Sequence, residues 1–243
     1  MNLLTSGFLF GAGRHGFMGF DWTYLLAILG FVLTLAAQGL VSSTFRKYSV
    51  QTMSGLSGAE GAQRVLSAFG ISNVGIASVS GQLTDHYDPR SKQLRLSDAT
   101  YGVRTVAAVC VAAHECGHAK QDKDHFGPLV LRSVLVPTAS FGSQAAWPVF
   151  LAGLIFSIRP LLTVGIVLFC LAVLFQLVTL PVEFDASRRA LKVLSENHIL
   201  PPDEMEGAKK VLTAAAMTYV AALASSMLQL LRLIILARGN SRD

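Results

Sequence analysis

The sequence predicts a mainly α-helical membrane protein of four spanning helices, with a small α+β unit held at one face of the bilayer. Three observations predict it. Charge is scarce: 52% of the 243 residues are hydrophobic and 14% are charged, where a soluble domain is nearer a quarter charged. The uncharged residues gather into four runs of at least 20 residues, each long enough to cross a bilayer. Between the runs lie polar stretches with the turn, cap and alternation signals of a globular unit.

Residues 1–20 are rich in Gly and Phe and lack a basic opening stretch, so they read as an N-terminal segment rather than a cleaved signal. The first span is 21–41, uncharged from Trp22 to Val41. Trp22 and Tyr24 suit one interface; Arg46, Lys47 and Tyr48 suit the other. The polar segment 42–132 follows. Ser57-Gly58-Ala59-Glu60 has the form of a capping box and opens a helix to Phe69, which Gly70 stops. Val74–Val79 reads as a strand, Asp88-Pro89-Arg90-Ser91 as a turn, and Gln93–Leu96 as a returning strand. Ser97 is placed to cap the next helix.

The second span is 133–158, broken or kinked by Pro137 and Pro148. Arg159-Pro160 makes a tight turn into the third span, 161–182. A second polar segment, 183–210, contains the Pro201-Pro202 break. The fourth span is 211–237, diluted by Ala, Ser, Thr and Gln. Segment 42–132 holds ten Lys or Arg and segment 183–210 holds five; the other side has Arg14, Arg159, Arg238 and Arg242. Fifteen against four places both polar segments in the cytoplasm. This clustering also explains the net charge of +5 without nucleic acid. Cys110, Cys116 and Cys170 fall in buried or apolar stretches and read as packing, not disulfides.

The chemistry lies in His114-Glu115-Cys116-Gly117-His118. Histidines four apart share one helix face, and both imidazoles can reach one tetrahedral Zn²⁺. Glu115 lies about 100° round the helix, off the metal and beside the position left for water, where a carboxylate can act as general base. Two histidines and a glutamate ending a helix rich in Ala and Val are costly unless a metal satisfies them. Catalytic zinc takes three protein ligands. Glu183, at the cytoplasmic end of the third span, is the best third ligand, with His86 and His125 next. A metal held there sits close to the membrane surface, so the expected substrates are membrane proteins or chains emerging from the bilayer. Gly117, unfavourable in a helix, points to another backbone close by.

Other residues carry two readings each. His86 is a substrate-side donor or a turn histidine. Tyr219 is an oxyanion donor or an interhelical hydrogen bond. Arg188 polarises a substrate carbonyl or anchors a headgroup phosphate.

The chain resembles the YugP-like neutral zinc metallopeptidases of bacterial membranes. The resemblance rests on Gly81-Gln82-Leu83-Thr84-Asp85-His86-Tyr87-Asp88-Pro89-Arg90, on Leu94-Arg95-Leu96-Ser97, on Ala112-Ala113-His114-Glu115 through His118, and on Pro181-Val182-Glu183-Phe184-Asp185-Ala186-Ser187. More distantly it is similar to the HtpX type of membrane peptidase. The resemblance implies His114, His118 and Glu183 as ligands of one Zn²⁺ per chain, Glu115 as base, a zincin-like catalytic unit, peptide substrates, and the bacterial cytoplasmic membrane. In the broader glutamate-ligand pattern an Asp four residues after the ligand glutamate orients a ligand histidine. Here that place is Ser187, and Asp185 falls on a different helix face, so the orienting residue stays open. Two other functions fit parts of the sequence: an intramembrane protease of the site-2 type, and a zinc-stabilised membrane scaffold or chaperone without activity.

Overall fold

The computed structural model describes residues 22–239; the expectation for residues 1–20, and Arg14 and Arg242, lie outside them. Six helices and three strands follow in the order α1 (Tyr24–Lys47), α2 (Gly58–Ala68), β1 (Gly75–Val79), β2 (His86–Asp88), β3 (Gln93–Ser97), α3 (Val106–Lys123), α4 (Gly127–Ile155), α5 (Arg159–Glu196) and α6 (Pro202–Gly239).

Among the described residues, α1, α5 and α6 are long and apolar enough to cross a membrane by length and composition. The weakest of the expected spans therefore lies within one of the three. Helix α4 is not among them: Thr138, Ser140, Ser143 and Gln144 dilute its apolar residues. It is one unbroken helix with Pro137 and Pro148 inside it. It starts six residues before the expected span, and it packs against α5. The turn between them is Phe156–Ile158, ahead of Arg159-Pro160, because Pro160 stands in the first turn of α5, where a missing N–H costs nothing. Glycines let the pair approach. A Cβ at Gly165 would lie 2.7 Å from the Cβ of Phe150, and one at Gly153 2.7 Å from the backbone N of Leu162.

Helix α5 runs on through Pro181 to Glu196, so the expected boundary at residue 182 is not a break in the backbone. α6 likewise starts at Pro202, well before residue 211. Arg232, inside the apolar part of α6, lies with its guanidinium 4.4 Å from the Tyr24 ring centroid and 5.8 Å from that of Trp147. The aromatic faces supply the partner that hydrocarbon lacks.

The α+β unit packs α2, α3 and the sheet together. The capping box is present: Ser57 N–H donates to Glu60 Oε2 at 2.7 Å, and Glu60 N–H to Ser57 Oγ at 3.3 Å. Gly70 closes the helix at φ +65°. Thr105, not Ser97, caps α3, its hydroxyl accepting from Ala108 N–H at 3.3 Å; Ser97 instead ends β3. Sheet order is β1-β3-β2. β3 pairs in parallel with β1 (Ile76 opposite Leu94) and antiparallel with β2 (Tyr87 opposite Leu94). The two strands read from the sequence are thus parallel neighbours, and the returning hairpin is β2–β3. Leu94 and Leu96 are fully buried and share a core with Val65, Leu66 and Val109. Ala190 and Leu194 of α5 and Val211 and Leu212 of α6 complete that core, so the unit is fixed rigidly to the long helices. Glu204 of α6 adds a polar tie, accepting from Thr52 Oγ1 at 2.6 Å and Met53 N–H at 2.7 Å.

Replacing Gly165 by Val is expected to lower stability by about 1–3 kcal/mol through overpacking of the α4–α5 contact. Thermal unfolding in detergent measures this; an unchanged midpoint would mean that the hairpin is looser than described.

Candidate active site

Helix α3 is short, Ala-rich and buried along most of its length, which lets other backbones approach it closely. At Gly117 a Cβ would lie 2.6 Å from the carbonyl oxygen of Ala186 in α5. The close backbone that Gly117 pointed to is α5 itself. This crossing sets the histidines of α3 against the residues just before Ala186, Glu183 among them.

His114, His118 and Glu183 each offer a ligand atom within 4.8 Å of the other two. Glu183 Oε2 lies 3.2 Å from His114 Nε2 and 3.6 Å from His118 Nε2. Bonds of about 2.0–2.1 Å at tetrahedral angles need ligand atoms about 3.3 Å apart, which the two carboxylate–imidazole distances match. Its donor set, two imidazoles and a carboxylate, also suits zinc. Glu183 is 1% exposed, a buried carboxylate set among imidazole nitrogens. Burial pushes the His118 imidazole down, but Glu183, Glu115 and Gln121 outweigh it and raise it from its ordinary value.

Each imidazole is held from behind. His118 Nδ1 lies 3.0 Å from Gln121 Oε1. The Gln121 amide nitrogen donates twice, to Val182 O at 2.8 Å and Asp185 Oδ2 at 3.0 Å. Its oxygen therefore faces His118 as an acceptor, Nδ1 carries the proton, and the Nε2 lone pair points into the cluster. His114 Nδ1 lies 3.1 Å from Ser187 Oγ. The orienting residue left open by the sequence is thus Ser187 for His114 and Gln121 for His118, with Asp185 acting through Gln121. Asp185 is buried against α3 and accepts from Arg189 Nε at 2.6 Å; Arg189 also donates to Asp124 at 2.5 Å. Gln121 was absent from the sequence reading. Its signal is its place three residues after His118, on the buried face of the same helix.

Arg132 of α4, read from the sequence only as a topology marker, donates to Glu183 Oε1 at 3.0 Å. That leaves Oε2 to face the histidines. Glu115 lies beside the cluster, its Oε2 accepting the backbone N–H of Tyr87 in β2 at 3.1 Å. The Tyr87 hydroxyl donates to Asp122 at 2.6 Å. Burial, then that carboxylate, push the phenol above its ordinary range and keep it a donor.

The remaining candidates divide. Tyr219 of α6 lines the same cleft as His114 and Glu115. His86 turns back to Thr84 O at 2.9 Å and stands outside the cluster, as does His125. Arg188 is 78% exposed and pairs with Asp185, so it faces away from the cluster. Strand β3 has a partner on each side and no edge for a substrate strand; β2 is the sheet edge next to Glu115.

Gly117→Val is expected to abolish zinc binding while leaving helix content near wild type, read by metal analysis and circular dichroism. Gln121→Leu, which strands the His118 N–H and the Val182 carbonyl, should weaken zinc by about 10- to 100-fold in a chelator competition. Wild-type affinity there would remove Gln121 from the account.

The comparisons with known proteins agree with this chemistry. The family described as "Putative neutral zinc metallopeptidase" matches residues 23–238. "Putative membrane protease YugP" of Bacillus subtilis (strain 168) is 45% identical over 219 residues, covering 87% of this chain and 97% of that protein. No solved structure matches. The match includes the motif helix α3 and the end of α5, so the chain belongs to the family described as "Putative neutral zinc metallopeptidase".

Proposed function

We propose that the protein is a membrane-embedded zinc endopeptidase that hydrolyses peptide bonds of membrane or membrane-proximal proteins at the cytoplasmic face. One observation carries the reading: two histidines of α3 and a buried carboxylate of α5 converge within 4.8 Å of one another, with a further carboxylate, Glu115, beside them.

The residues divide the work. His114, His118 and Glu183 hold one Zn²⁺ per chain. When bound, the ion supplies Lewis acidity for the peptide carbonyl and for water. Glu115 takes a proton from the attacking water, whose oxygen adds to the carbonyl carbon. As the C–N bond breaks, Glu115 passes that proton to the leaving amine. Gln121 and Ser187 keep the imidazoles turned with Nε2 inward. Arg132 binds the outer oxygen of Glu183 and holds its carboxylate to one orientation. Tyr219 is placed to donate to the developing oxyanion. Substrate backbone lies along the edge of β2 beside Glu115.

For topology we propose four spans with α4 as the fourth, since it packs antiparallel on α5. The last residues of α1 and α5 and the first of α4 and α6 then share one side with the site. The Lys and Arg distribution makes that side the cytoplasm of a bacterial inner membrane.

The tie between Glu115 and Tyr87 gives the scaffold reading one point in its favour, because it offers Glu115 a structural role. The intramembrane reading has less support: the uncharged part of α3 ahead of the motif, Val106 to Ala113, is eight residues, too short to cross a bilayer.

Glu115→Gln separates the first two. Glutamine still accepts the Tyr87 N–H but cannot act as a base. Expected is near-unit zinc in wild type and in Glu115→Gln, loss of zinc in Glu183→Ala, and loss of at least about 100-fold in casein hydrolysis by Glu115→Gln. Equal hydrolysis by wild type and Glu115→Gln would overturn the peptidase reading.

A further inference from the structure

A cleft of about 250 Å³ opens beside the cluster, and both His114 and Glu115 form part of its wall. Its other walls are apolar: Val41 and Phe45 from the end of α1, Val111 from α3, and Val211, Leu212 and Ala215 from α6. The cleft is smaller than a drug-sized ligand site, and suits one or two side chains.

Two of the polar residues around it are already engaged. Asp85 accepts from Ser97 N–H and Ser97 Oγ, both at 2.8 Å. Thr218 donates to Ala215 O at 2.6 Å. Apart from Glu115, Asp85 is therefore the one formal charge on the wall, and both of its oxygens are occupied. A buried Asp or Glu of a substrate would lose water and meet only the carboxylates of Asp85 and Glu115.

Leu83 also lines the cleft. Its φ is +55°, a left-handed conformation that costs a leucine roughly 1–2 kcal/mol. The hydrogen bonds just after it, from Ser97 to Asp85, and just before it, from Gly81 N–H to Asp98 Oδ2 at 3.0 Å, hold the loop in place. The strained residue is a large apolar one, 48% exposed, and it lines an apolar cleft.

We infer that this cleft is the specificity pocket of the peptidase and takes an apolar side chain, of Leu or Phe size, from the residue on the amine side of the cleaved bond. The inference rests on the peptidase reading for its side assignment. Glu115 delivers its proton to the leaving amine, so the residue carrying that amine is the one nearest Glu115 and nearest the cleft. Products should therefore begin with apolar residues.

The test uses the full-length, zinc-loaded protein in detergent and synthetic peptides that differ at one position, Leu, Phe, Ala, Glu or Lys. New N-termini are read by mass spectrometry. Expected is a preference of at least about tenfold for Leu and Phe over Glu, with Leu or Phe first in the released fragment. Ala215→Phe fills the cleft and should move the preference to Ala, with zinc content retained; Leu83→Gly should narrow the gap between Leu and Ala. A flat profile, a preference for a charged residue, or apolar residues at the new C-termini instead would overturn the inference. So would an unchanged preference in zinc-replete Ala215→Phe. Binding of the same peptides to Glu115→Gln, followed by fluorescence anisotropy, reads the cleft without turnover. Leu-selective binding with no hydrolysis by wild type would keep the pocket and sink the peptidase reading. Equal binding of Leu and Glu peptides would sink the pocket.

Discussion

The close crossing of α3 and α5 at Gly117 is the constraint on which the site depends. Neither helix holds a metal set alone. α3 carries two histidines and α5 carries one carboxylate, with 64 residues of chain between His118 and Glu183. They meet because Gly117 has no Cβ and lets the backbone of Ala186 come in. A glycine in a helix interior costs about 1 kcal/mol. Here the helix is buried, and the approach it permits brings Gln121 to Val182 and Asp185 and His114 to Ser187.

The polar groups at that crossing are arranged so that each buried one is spent. Gln121 uses its oxygen on His118 and its amide on α5, and Arg132 takes the oxygen of Glu183 that the histidines leave. Such a network is worth having only when complete, since a half-satisfied one is costlier than an apolar core. Four elements contribute to it or to its edge: α3, α4, α5 and β2. Residues far apart in sequence therefore share one tolerance for movement.

Much of this was legible in the sequence, and the reasons are physical. The motif, its spacing and the placement of Glu183 at the end of an apolar run locate the three clustered residues, because ligand chemistry restricts residue type and spacing. The capping box at Ser57 and the stop at Gly70 depend on local hydrogen bonds and φ alone. What was not legible depends on tertiary contact. The turn at Phe156–Ile158 was displaced to Arg159-Pro160, because proline is as suited to a first helical turn as to a turn proper. The continuation of α5 past Pro181 was hidden by the change from apolar to charged residues. Polarity marks the edge of an apolar environment, not the end of a helix. Arg132 and Gln121 were invisible as site residues, since a lone Arg or Gln beside an apolar run has no pattern. The Asp185–Gln121 bond likewise needs the helix crossing to be seen.

Helix α5 is continuous from Arg159 to Glu196, and this makes it a ruler. Glu183 lies 24 residues after Arg159, about 36 Å along the axis at 1.5 Å per residue. A hydrocarbon layer is about 30 Å thick. A helix crossing near the normal from Arg159 therefore carries Glu183 only about a turn beyond the far boundary. In the proposed peptidase, the height of the cleaved bond above the lipid is then set by a count of residues, not by a flexible tether. Bilayer thickness and helix tilt become variables that act directly on which bonds of a neighbouring chain come within reach.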